Sequence, residues 1–155
     1  MPVLPLSTYL TLIRASAVYD IVLILPFVTP WSFALLLGQL SRLNVWLGGA
    51  PLPPFAPLHL LLATLLGTLV LLWCLFRLHG PSVRLGRFDG AARLVFAFWI
   101  GWAILQGDSP VLWLYLVPEL LWGLAQSWPV TQSSGSSTPR AALSSAAPMR
   151  SSRGG

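Results

Sequence analysis

The run PLHLLLATLLGTLVLLWCLFRL, residues 57–78, carries no charged side chain before Arg77. A helix made of it leaves no polar stripe for water, which marks a span or a deeply buried helix. Crossing a hydrocarbon core takes roughly 20 mostly apolar residues. Three further segments approach that length: about 7–28, STYLTLIRASAVYDIVLILPFV; about 90–106, GAARLVFAFWIGWAILQ; and about 110–128, PVLWLYLVPELLWGLAQSW. The third of the four in chain order, 90–106, is short and is expected to tilt little or to thin the bilayer locally. These four runs restrict the chain to an all-α membrane protein, a bundle of four transmembrane helices.

Composition agrees. Of the 155 residues, 55% are hydrophobic and 8% charged, where a soluble domain carries about 25% charged residues. The mean hydropathy is +0.75. The net charge is +5 and every basic residue is Arg, but these residues flank apolar runs or lie in a polar tail. They form no basic patch interleaved with exposed aromatics, so nucleic acid is excluded as a partner. The single cysteine, Cys74, sits within an apolar run and reads as small apolar filler. The N-terminus makes a poor signal peptide, because no basic residue precedes its apolar stretch and Arg14 interrupts it. It is expected to be a retained first span.

The segment TPWSFALLLGQLSRLNVWLGG, 29–49, separates the first two spans. Thr29-Pro30 is a strong helix start and Gly48-Gly49 a strong stop. With Gln39, Arg42 and Asn44 inside and Trp31 and Trp46 near its ends, 30–47 is expected to form an interfacial helix. The alternative is that it continues the first span as one long kinked helix. Residues 48–57 and the basic segment HGPSVRLGRFDG, 79–90, are expected as loops. GDSP, 107–110, is expected as a tight turn joining an antiparallel hairpin. Residues 1–130 thus form the transmembrane domain. The remainder, 131–155, is rich in Ser, Gly, Pro and Ala without aromatics, and is expected to be a disordered polar tail.

With four spans, Arg77, Arg84, Arg87, Arg93, Arg140, Arg150 and Arg153 share one side and only Arg42 lies on the other. The positive-inside rule then places both termini in the cytoplasm.

Ionisable residues within spans are costly and are functional candidates by default. Asp20 and Glu119 each fall nine or ten residues from the outer helix ends, roughly 14–15 Å deep at 1.5 Å per residue. Facing each other, they form either a polar packing lock or a functional pair that relays protons, binds a cation or acts as acid and base. Tyr115, Glu119, Trp122 and Gln126 recur at helical spacing on one face, as do Tyr9, Ser16 and Asp20 on another. Pro118 removes a backbone hydrogen bond beside Glu119 and is expected to kink that helix and make room for water. Arg14 is expected to snorkel to the cytoplasmic surface, or else to reach a carboxyl or anionic ligand from another helix. His59 is expected at the outer interface. Asp89 and Arg93, four apart, read as an ion pair at a helix start. Ala63/Gly67 and Ala97/Gly101 are small-residue pairs that permit close helix approach. No phosphate-binding loop, catalytic triad or zinc spacing occurs, so no catalytic residue, metal or cofactor is assigned.

The segments RASAVYD (14–20), LPFVTPW (25–31), GRFDGAARLVFAFWIGW (86–102) and PELLWGL (118–124) resemble the small four-helix inner-membrane proteins of bacteria, loosely the DoxX-like group. That resemblance implies a four-span topology in the bacterial inner membrane and transfers no catalytic residue. The expected function is non-enzymatic: a small membrane subunit or ligand-binding bundle, with the lipid bilayer, a second copy or another membrane protein as partner. The alternatives are a proton-coupled transporter using Asp20 and Glu119, or a membrane enzyme acting on a lipid-soluble substrate.

Overall fold

The computed structural model describes residues 3–107 and 109–131. The described chain is helical: α1 (Leu6–Ile24), α2 (Pro30–Trp46), α3 (Pro57–His79), α4 (Val83–Leu105) and α5 (Trp113–Gln126), with 3-10 turns at Leu25–Phe27 and Pro110–Leu112. Three helical segments are long and apolar enough to cross a membrane: Leu6–Phe27, Pro57–His79 and Val83–Leu105. The tail expected to be disordered lies outside the described residues apart from Thr131.

The helix boundaries follow local chemistry. Pro26 has no N–H to give the α1 ladder, and the chain tightens into the 3-10 turn, where Val28 N donates to the Leu25 carbonyl at 3.2 Å. Thr29 then takes an extended conformation and its hydroxyl accepts from Ser32 N at 3.2 Å. That cap starts α2 as a separate helix, so 30–46 does not continue α1. The basic segment 79–90 is not a loop. Ser82 caps α4, its hydroxyl accepting from Leu85 N at 3.2 Å, and the helix runs from Val83. A Ser N-cap outweighs the Gly and Arg content that suggested irregular chain. Asp89 therefore sits well inside α4 rather than at its start. Helix α5 runs through Pro118 without interruption.

Named contacts give the helix directions. Along α3, Gly67 lies against Phe27 and Arg77 against Asp20 and Ser16, so α3 is antiparallel to α1. Along α4, Gly86 lies against Tyr9 and Ile13 and Arg93 reaches Asp20, so α4 is parallel to α1. In α5, Glu119 meets Arg93 and the Tyr9 hydroxyl donates to the Gln126 carbonyl at 2.6 Å, so α5 is antiparallel to both. The segments flanking α1 and α5 also meet: Leu4 N donates to the Pro129 carbonyl at 2.9 Å and Thr131 N to the Leu4 carbonyl at 3.0 Å.

The α4–α5 approach is set by Gly90 and Gly123; a Cβ built on either would lie 3.3 Å from the carbonyl oxygen of the other. The expected Ala97/Gly101 pair contributes only Ala97, which is buried, since a Cβ on Gly101 would meet nothing. Gly67 is the small residue that matters on α3, because a Cβ there would lie 2.6 Å from Phe27.

Helix α2 packs at the opposite end from the Leu4–Thr131 contact. Its Phe33 ring lies tilted against those of Phe27 and Phe55. Asn44 donates to the Ala50 carbonyl at 2.7 Å and accepts from Val111 N at 3.0 Å.

Burial is inverted relative to a water-soluble fold. Leu69 is 64% exposed and Trp99 58%, while Arg77 is 1% exposed and Gln126 fully buried. Large apolar residues outside and charged groups inside form the arrangement that suits hydrocarbon as the solvent.

Candidate functional site

Four helices meet around two guanidinium groups. Arg77, from the last turn of α3, donates through Nη2 to Asp20 Oδ2 on α1 and through Nη1 to Asp89 Oδ2 on α4. Arg93, one turn further along α4, donates through Nη2 to the same Asp20 oxygen. Its Nε donates to Asp89 Oδ2 at 3.1 Å and its Nη1 to Glu119 Oε2 on α5 at 3.2 Å. The planar five-donor fork of Arg lets one side chain bind several carboxylates in this way. Asp20 and Asp89 are thus each bound by both arginines, and Glu119 by one.

Neighbours complete the network. Trp73 Nε1 donates to the other Asp89 oxygen at 2.9 Å. Arg77 Nη2 also donates to Cys74 Sγ at 3.3 Å, so the cysteine is a weak acceptor as well as filler. The Ser16 hydroxyl donates to the Ile13 carbonyl at 3.0 Å and accepts from Arg77 Nη1 at 3.2 Å and from Gln126 Nε2 at 2.7 Å. One donor and two acceptors exhaust a hydroxyl. Ser16 therefore fixes the Gln126 amide with its nitrogen inward. Two buried side-chain atoms have no partner among the described residues: Arg77 Nε, a donor, and Gln126 Oε1, an acceptor.

Of the sequence candidates, Asp20, Glu119 and Gln126 enter this network. Asp20 and Glu119 are joined through Arg93 rather than as a facing carboxyl pair. Arg14 is exposed on the outer face of α1. His59 is exposed at the start of α3, its ring 5.8 Å from that of Phe55. Tyr115 is partly buried on the Glu119 helix, while Tyr19 and Trp122 stack at 5.9 Å between α1 and α5.

Sequence reasoning missed the cations. Arg77 and Arg93 counted as cytoplasmic surface charge, yet both are almost wholly buried. The Asp89–Arg93 pair forms as expected at spacing four, but in the interior rather than at a helix end. A partial signal was present: carboxyls committed to spans require counterions, and Arg77 and Arg93 lie within the expected spans, although Arg14 does too.

Two surface grooves lie elsewhere. One of about 470 Å³ is lined by Ser7, Thr8, Thr11, Leu12 and Ala15. Another of about 400 Å³ is lined by Leu25, Pro26, Ser32, Leu35, Leu36 and Gln39. Neither includes a network residue. Among the described residues no three His, Cys, Asp or Glu side chains are disposed to hold a metal ion. Comparison with protein-family models, curated proteins and solved structures finds no match.

Proposed function

We propose that this chain is a four-span membrane protein acting without catalysis, as a small helical subunit whose register is fixed by an interior charge network. The spans are α1, α3, α4 and the segment from Pro110 to Gln126, with α2 lying in the interface at the far end. One observation carries this reading: Arg77, only 1% exposed, ties α3 to carboxylates on both α1 and α4. A guanidinium so placed in a chain with an apolar exterior is costly unless it is paired, and its partners here sit on two other helices. The fourth span is supported by the bonds from Leu4 to Pro129 and Thr131, which return the end of α5 to the side of the N-terminus.

Removing Arg77 and Arg93 from the surface count leaves Arg84, Arg87, Arg140, Arg150 and Arg153 on one side and Arg42 on the other. The asymmetry still favours cytoplasmic termini. The bacterial inner membrane and the DoxX-like likeness belong to the same proposal.

The test is topology mapping in cells. In a Cys74→Ser background, single cysteines replace Ser82, Ser134 and Pro54 and are probed with an impermeant maleimide. The reading predicts that Ser82 and Ser134 share one side and Pro54 lies on the other. Ser82 and Ser134 on opposite sides would mean that α5 does not cross, and the four-span reading fails.

A further inference from the structure

The network holds two guanidinium groups and three carboxyl groups. Two arginines with Asp20 and Asp89 make a neutral set, each aspartate bonded by both cations. Glu119 is left over. It has one ion-pair contact, at 3.2 Å, with a guanidinium already shared by both aspartates, and its side chain is the most exposed of the three carboxylates at 23%. In a spanning bundle that exposure faces hydrocarbon or the seam between α1 and α5, not bulk water. A surplus negative charge there is expensive.

We propose that Glu119 is a proton-binding site: its carboxyl carries one proton at neutral pH. This inference rests on the membrane-spanning reading above. Binding forms one O–H bond on Glu119, takes the proton from bulk water, and leaves the whole interior without net charge. Oε2 stays the acceptor of Arg93 Nη1 and Oε1 holds the proton.

The groups facing Glu119 are consistent with this. From α4 come Arg93, shared with Asp20, and beyond it Asp89. From α1 come Asp20 and Tyr19. Arg77 of α3 is committed to the two aspartates. Among these neighbours the two guanidinium groups face three carboxyl groups, so the charge of the third is not balanced.

The chain contains a single glutamate. A carboxyl-¹³C-glutamate label, introduced by cell-free synthesis, therefore reports Glu119 alone in the unaltered protein. Infrared spectra are taken in lipid vesicles across a pH series. The expected result is the isotope-shifted carbonyl band of a protonated acid at neutral pH, replaced by carboxylate bands as the pH is raised. A label reading as ionised carboxylate at neutral pH overturns the proposal. The topology labelling reads the spans independently, so a wrong membrane assignment and a wrong proton assignment give different signatures.

Discussion

Two regions of the molecule are held by different forces. From the middle of the bundle toward the end where Leu4 meets Thr131, α1, α3, α4 and α5 are joined by charged side chains with partners on other helices. At the far end, α1, α2 and α3 meet through rings: Phe27 on Phe33 at 4.8 Å, Phe33 on Phe55 at 5.4 Å, and Phe55 on His59. In lipid, apolar packing between helices has no hydrophobic effect behind it, because the tails are as apolar as the side chains. The aromatic end is therefore held by close fit, and the charged end by bonds that hydrocarbon cannot replace. The difference implies that register is specified at one end and merely accommodated at the other.

The comparison is broken most severely at Arg77. Arg77→Met leaves two buried aspartates competing for Arg93, and removing one partner of a buried ion pair costs about 3–5 kcal/mol. Thermal unfolding in detergent is expected to show a large loss, or the variant fails to accumulate. An unchanged midpoint would mean that the charged end is not the specifying one.

A smaller loss is expected at the aromatic end. Gly67→Ala places a methyl group 2.6 Å from Phe27, and overpacking of this kind costs about 1–3 kcal/mol. The same unfolding assay should rank it below Arg77→Met; the reverse order would shift the weight of the fold to the far end. Thr29→Ala removes the cap of α2, with an expected cost of about 1 kcal/mol. Its clearest readout is faster backbone hydrogen exchange in the first turn of α2, with the amides of α4 unaffected. Arg84→Gln should be the mildest. Arg84 is exposed and only rests over the Phe88 ring at 5.8 Å, so the unfolding midpoint should not move measurably. A loss rivalling that of Arg77→Met would show that position in the helix end, rather than burial, sets the worth of an arginine here.

The contrast also explains what could be read from the chain. Apolar run length located α1 and α3 closely, and the Thr29-Pro30 start separated α2, because spans and caps are written in contiguous residues. The stripe Tyr9–Ser16–Asp20 pointed the right way, since helical periodicity fixes which residues share a face. Arg77 and Arg93 did not declare themselves. An arginine near a helix end has the same sequence context whether it faces headgroups or a carboxylate on another helix, and only the packing of α3 between α1 and α4 decides. The extent of α4 was hidden for a related reason. One Ser cap turned a Gly- and Arg-containing stretch into about two further turns, drawing Asp89 into the interior with it.

The most direct test of the account compares Asp20→Asn with Glu119→Gln by thermal unfolding in the same detergent. Asp20 receives both guanidiniums, whereas Glu119 receives one and is already neutral in this account. Asp20→Asn should unfold far below the unaltered protein, and Glu119→Gln close to it. Equal losses, or a larger loss for Glu119→Gln, would contradict a lock centred on the two aspartates.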